Sequence, residues 1–147
     1  MKIRGINSSD MLEVAKLESN LVRGWSVESV VQEIERPLGV RLAAYGEGTI
    51  DVIGWCCGFC VSGEAELLRI AVAQPDRLKG VASALLAEFE NICGQQEVSS
   101  VFLEVAEANV AARRLYDKFS YRQVGRRKGY YIHPADDALI MNKILTR

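Results

Sequence analysis

Between Val40 and Ala73 the chain carries three apolar runs separated by two turn signals, and this stretch limits the fold more than any other. Val40 to Tyr45, Asp51 to Val61 and Glu64 to Ala73 each read as a strand, joined by Gly46-Glu47-Gly48 and by Ser62-Gly63. Two hairpins in series pair three strands antiparallel. With 147 residues in all, there is room for one domain around one core, taken as residues 1–147.

The flanking segments add helices. Met1 to Ile6 reads as a first strand, and Ser8 or Ser9 is placed to cap a helix running to about Ser19. Ser26 opens a second helix in which Val27, Val30, Val31 and Ile34 recur at helical spacing, and Arg36-Pro37-Leu38-Gly39 stops it. After Pro75 the pattern alternates. Val81, Leu85, Phe89 and Ile92 make one helical face, Val98 to Val105 a strand, Val110 to Lys118 a short helix, and Tyr121–Arg127 and Ala138–Ile144 two more strands. This order predicts an α/β chain: a mixed, largely antiparallel sheet flanked by about four helices.

Composition excludes several classes. Eighteen basic residues stand against 19 acidic ones, a net charge of -1, so no basic field points to nucleic acid. No apolar run approaches the roughly 18 residues needed to cross a bilayer. The opening MKIRGINSSDMLEV lacks the apolar core of a secretory signal. The expectation is a cytoplasmic protein with no membrane partner, whose four cysteines stay reduced.

Three of those cysteines lie in Trp55-Cys56-Cys57-Gly58-Phe59-Cys60. In a strand, side chains alternate faces, so Cys57 and Cys60 point to opposite sides with Cα atoms about 10 Å apart. A disulfide tolerates about 7 Å. A redox Cys-x-x-Cys also opens a helix, whereas here a turn into another strand follows. Cys93 and the single His133 are distant and lack metal-ligand spacing. The segment is therefore a strand with small buried thiols, and no metal site is expected.

The chemistry concentrates where Ile70-Ala71-Val72 runs through Arg77-Leu78-Lys79-Gly80-Val81-Ala82-Ser83 into a helix. Small residues at 80 and 82 admit a ligand to the backbone. Helix-start N–H groups and the macrodipole attract a phosphate, and Arg77 and Lys79 add positive charge. Alone, this loop fits an ordinary turn with solvated basic residues equally well.

In context, Arg77-x-x-Gly80-x-Ala82 resembles the Arg/Gln-x-x-Gly-x-Gly/Ala loop of the GNAT acetyltransferases, and the order of elements matches that fold. Leu103-Glu104-Val105, Asn109, Ala112, Leu115-Tyr116, Tyr121, Gly125 to Tyr131 and Asp137 to Met141 resemble the RimI type, which acetylates the N-terminal alanine of a ribosomal small-subunit protein; Trp25-Ser26 is similar to that group's Pro-Trp-Ser segment. The resemblance is strong from residue 68 to 141 and thin before Trp25. It implies acetyl-CoA as co-substrate, Glu104 as general base and Tyr116 as general acid. It implies the Ile70–Val72 strand pairing with the pantetheine arm, and Arg77 to Ser83 with Asn109 holding the rest of the cofactor. It places Trp25, Tyr130 and Tyr131 at the acceptor. A protein or peptide N-terminus, with a ribosomal protein as candidate, is the implied partner, and the enzyme a monomer or weak dimer. A small amine or lysine acceptor, or a non-catalytic acyl-CoA-binding module, are the alternatives.

The sequence departs from the group at named points. Ser83 stands where an arginine is usual. Glu107 brings an added negative charge close to Glu104, and Ser120 replaces a helix-end glycine. Three basic residues at 126–128 fit a solvated face or a groove wall. Asp136 and Asp137 fit a basic substrate or a solvated pair.

Overall fold

A computed structural model describes residues 1–145. Seven strands form one sheet: β1 (Lys2–Gly5), β2 (Gly39–Tyr45), β3 (Val52–Val61), β4 (Glu64–Val72), β5 (Ser100–Ala106), β6 (Arg122–Ile132) and β7 (Ala135–Ile144). Four helices accompany them: α1 (Met11–Ser19), α2 (Val27–Glu35), α3 (Val81–Gln95) and α4 (Val110–Lys118). The strand order is β1-β2-β3-β4-β5-β7-β6. Every neighbouring pair is antiparallel except β4 with β5. That pair is parallel because α3 carries the chain back across the sheet between them.

The sheet is covered on both faces. On one, Val81, Leu85, Leu86 and Phe89 of α3 pack with Leu42, Cys56, Leu67, Val101 and Leu103. On the other, Val14, Ala15 and Leu17 of α1 join Val30 and Ile34 of α2 over Ala43, Trp55, Cys57 and Ala71. Cys57 thus faces α1 and α2 while Cys60 packs toward α3, as alternation along the strand requires. All four thiols are free. The Cys60 sulfur lies 3.8 Å from that of Cys93 on α3, a neighbour that spacing along the chain did not reveal. Burial pushes the Cys56 thiol up to about 12, so it stays protonated and inert.

β3 and β4 are out of step at one point: Cys57 pairs with Arg69 but Gly58 with Leu67, leaving Leu68 as an extra residue. This bulge puts Leu68 and Arg69 on the same face, toward α1. Beside it, Gly58 lies under Phe89, where an added Cβ would come within 2.7 Å of the ring.

Several boundaries differ from the sequence reading by a residue or two, β5 for instance beginning at Ser100 rather than Val98, and three differences carry information. Asn7, not Ser8 or Ser9, caps the first helical segment. Its side chain accepts from Ser9 N–H while Asp10 reaches back to the Asn7 N–H, and a short 3-10 turn precedes α1. β6 runs five residues beyond Arg127, and β7 starts at Ala135 rather than Ala138. The register shifts between Arg127 and Tyr131, where Gly129 has φ +62°, and pairing resumes at Tyr131–Asp136. A bulge of this kind interrupts the alternation that marks a strand in sequence. Ser120, at the end of α4, has φ +71°, the left-handed conformation that glycine adopts with least strain.

Ser120→Gly is expected to stabilise the fold by about 0.5–1 kcal/mol, read as a higher denaturant midpoint at unchanged slope. Gly58→Ala is expected to destabilise it by about 1–3 kcal/mol, because the added methyl collides with the Glu66 backbone carbonyl and overpacks against Phe89, read in the same titration.

Candidate active site

The site arises where the sheet opens. β4 and β5 pair only from Glu64–Ser100 to Leu67–Leu103. β4 then continues to Val72 and β5 to Ala106 without partnering each other among the described residues. The separated ends leave a cleft with two limbs, of about 680 Å³ and about 490 Å³. Arg69, Ile70, Arg77, Asn109 and Ala112 line both limbs, which therefore meet between the two strands.

The larger limb follows β4 to the start of α3. Ile70, Ala71 and Val72 line it, as do Arg77, Leu78, Gly80, Val81, Ala82, Ser83 and Asn109. Gly80 is the N-cap of α3 with φ +80°, and no side chain caps this turn. The first-turn N–H groups, reinforced by a 15-residue helix, are left for an anion. Nothing lies within 4 Å of a Cβ built on Gly80, so the approach is open. Arg77 is folded back, donating from Nε to the Val72 carbonyl at 3.3 Å. Lys79 does not line the limb; its ammonium lies 3.9 Å from the Asp76 carboxylate. The Ser83 position lines the limb directly. The trough, uncapped amides and small residues fit a nucleotide diphosphate with an extended thiol arm.

The smaller limb holds the proposed catalytic pair. Glu104 and Tyr116 both line it, brought from β5 and α4. They reach it from opposite faces of the sheet. Tyr116 packs in the α3-side core, whereas Glu104 alternates with Leu103 and Val105 of that core and so faces the other way. Burial holds the Tyr116 phenol well above its ordinary range, so it is a proton donor at neutral pH. The Glu104 carboxylate accepts from Arg127 Nε at 2.8 Å. Asn109 caps α4, accepting from Ala112 N–H at 3.2 Å, and lines both limbs.

The acceptor residues named from sequence divide. Tyr131 lines the smaller limb, with the Arg23 guanidinium 4.6 Å from its ring. Arg23 also donates to the Pro134 carbonyl at 2.6 Å, so the α1–α2 connection meets the β6–β7 turn beside the cleft. Tyr130 is exposed and stacks edge-on against Tyr131 with centroids 5.1 Å apart. Trp25 lines neither limb; its ring stands edge-on to Trp55 at 5.6 Å. Glu107 is taken up by Arg126 at 2.7 Å, and this hydrogen bond holds its carboxyl below the usual range. The charge expected beside the base is therefore engaged elsewhere. Asp137 accepts from Gly129 N–H and Arg126, and Asp136 accepts from Ala108 N–H. Asp136 fastens the β6–β7 hairpin to the segment after β5, while Asp137 braces β7 against β6 within the hairpin, so neither carboxylate stands free in solvent.

Sequence reading missed Glu18 and Arg69. Glu18 has no solvent exposure, yet its carboxylate takes four donors: Trp25 N–H, Trp55 Nε1, and Nε and Nη2 of Arg69, at 2.7–2.9 Å. A signal was present. Glu18 falls on the apolar stripe of Val14, Ala15 and Leu17, and Arg69 interrupts Leu67-Leu68-Ile70-Ala71-Val72; two lone charges in apolar settings invite pairing. Among the described residues no group of three or more His, Cys, Asp and Glu is placed to hold a metal, and no helix is long and apolar enough to cross a membrane.

Comparison with solved structures gives the class. The structure of the ribosomal-protein-S18-alanine N-acetyltransferase from Escherichia coli superposes with a TM-score of 0.91 at 22% identity, covering 99% of this chain and 94% of that one. Arabidopsis thaliana NAA60 in complex with acetyl-CoA gives 0.84 at 20% identity, covering 98% of each. The fold is that of the acyl-CoA-dependent N-acetyltransferases. In sequence, residues 11–121 match the model of the acetyltransferase (GNAT) family, and the chain belongs to that family. A ribosomal protein bS18-alanine N-acetyltransferase of Haemophilus influenzae is 31% identical over 110 residues, 73% of this chain and 72% of its own length. An N-alpha-acetyltransferase of Saccharolobus solfataricus is 32% identical over 83 residues, 56% of this chain and 49% of its own.

Glu18→Gln is expected to lower stability by about 2–3 kcal/mol, since it leaves the Arg69 guanidinium without its counter-charge; urea unfolding measures it.

Proposed function

We propose that this acetyltransferase moves the acetyl group of acetyl-CoA to the α-amine at a protein N-terminus, with a ribosomal protein beginning in alanine as the acceptor. The observation that carries this reading is the convergence of Glu104 and Tyr116 on one limb of a cleft whose other limb ends at the uncapped start of α3. The acceptor is suggested by the relatives: the Haemophilus influenzae protein is named for alanine of bS18, and the archaeal one for an α-amine.

In this reading the amides of Val81, Ala82 and Ser83 and the α3 dipole hold the diphosphate, and Arg77 turns from the Val72 carbonyl to join them. The exposed backbone edge of Ile70–Val72 pairs with the pantetheine arm. Acetyl-CoA supplies the acetyl group as a thioester. Glu104 accepts the proton of the incoming ammonium, directly or through water. An N-terminal amine, with a pKa of about 7.7–8.0 against about 10.4 for lysine, makes that an easy transfer. Arg127 must yield its hold on Glu104 as the amine arrives. Tyr116, on the opposite face, donates its phenolic proton to the departing sulfur. Tyr131 flanks the acceptor chain, with Tyr130 behind it; Trp25 acts at one remove, by fixing the α1–α2 connection.

Glu104→Gln is expected to lower kcat on an alanine-first peptide by about 100-fold or more with acetyl-CoA affinity unchanged; full activity would reject its role as base. Tyr116→Phe should lower kcat with little change in either KM. Because burial raises the phenol, no alkaline loss of kcat should arise from Tyr116 below about pH 10. In a panel of amines, alanine-first peptides should react faster than polyamines or lysine side chains, with mass spectrometry as the readout.

A further inference from the structure

Arg69 stands where the two limbs of the cleft meet, and the catalytic scheme above gives it no task. Its position is set by the bulge at Leu68, which turns residue 69 toward α1. Glu104 lies on that same face, across the gap between β4 and β5. The mouth of the acceptor limb is thus flanked by the carboxylate on one strand and the guanidinium on the other.

The guanidinium is held on one side only. Glu18 accepts from Nε at 2.9 Å and from Nη2 at 2.7 Å, and the Glu18 carboxylate is itself fixed by Trp25 N–H and Trp55 Nε1. Nη1 has no acceptor among the described residues, while the Arg69 side chain keeps 20% exposure. A planar, pre-oriented donor is therefore presented to the cleft at little further cost in conformational freedom. Its charge is balanced by Glu18, so it offers N–H groups without strongly repelling a cationic amine approaching Glu104.

A peptide N-terminus brings a carbonyl oxygen three bonds from its amine nitrogen; a polyamine brings none, and a lysine side chain holds its own backbone carbonyl much further off. We infer that Arg69 donates from Nη1 to the first peptide carbonyl of the acceptor, with Glu18 as the positioning residue. It thereby selects an α-amine that belongs to a peptide over other primary amines. The inference rests on the peptide-acceptor reading given above and deepens it.

The test is binding, measured by calorimetry with CoA present so that chemistry does not intervene. Arg69→Met should weaken binding of an alanine-first peptide about 10- to 100-fold, the span for a hydrogen bond involving a charged partner, and leave CoA binding unchanged. A matching peptide whose first peptide bond is replaced by a trans-alkene should bind the wild type as weakly as the variant binds the normal peptide. It should lose nothing further in Arg69→Met. If Arg69→Met does not fold, the two peptides on the wild type carry the test alone. A variant that keeps peptide affinity but loses kcat would assign Arg69 to the reacting thioester and overturn the inference. A wild type that binds both peptides equally overturns the carbonyl contact while leaving peptide acetylation standing. A wild type that binds neither overturns the peptide-acceptor reading and this inference with it.

Discussion

Parallel strands linked through a helix hydrogen-bond only as far as their backbones can stay at sheet spacing. In this protein β4 and β5 hold that spacing for four residues on each strand, ending at Leu67 and Leu103. The extra residue at Leu68 twists β4 away at that point, as a bulge does. α3 fills one side of the sheet there, and the other side is left open beside α1. The groups proposed for catalysis lie on the separated ends or on the segments that leave them.

Separation leaves backbone polar groups of β4 without strand partners, an arrangement that costs free energy unless solvent or a ligand takes their place. The same account applies to the start of α3, where Gly80 brings the chain in left-handed and offers no side-chain acceptor. Both sets of groups face one cleft, and an acyl-CoA has an amide-rich arm and a diphosphate that satisfy both. In the proposed binding mode, the cofactor completes hydrogen bonding that the fold leaves unfinished.

The Glu18 network works in the opposite sense. A carboxylate with no solvent exposure is tolerated only because four donors surround it, two of them from a cation. It ties α1, the α1–α2 connection, β3 and the bulged part of β4 to one centre. That is the wall of the cleft that β3 steadies along one edge while its edge toward β5 is unpaired. Two carboxylates thus divide the labour in this site. Glu18 is sealed and structural, while Glu104 is a quarter exposed and paired with an arginine that is itself more than half exposed.

Local pattern alone was enough for the strands and helices from β2 through α4, because their apolar residues repeat at the period of the element they form. The strand reading of Trp55 to Cys60, the glycine turn into α3 at Gly80 and the unfavourable helix end at Ser120 were legible for the same reason: each depends on residues within a few positions of one another. The continuation of β6 past the bulge at Gly129 was not, since the break in alternation is repaired only by β7. Nor were the Glu18–Arg69 pair, 51 residues apart, the Cys60–Cys93 approach, or the capture of Glu107 by Arg126. Amino-acid order determined which groups are available and which local shapes they favour. The tertiary structure decided which charges meet, because a partner across the sheet is chosen by packing and register, and neither leaves a period in the chain.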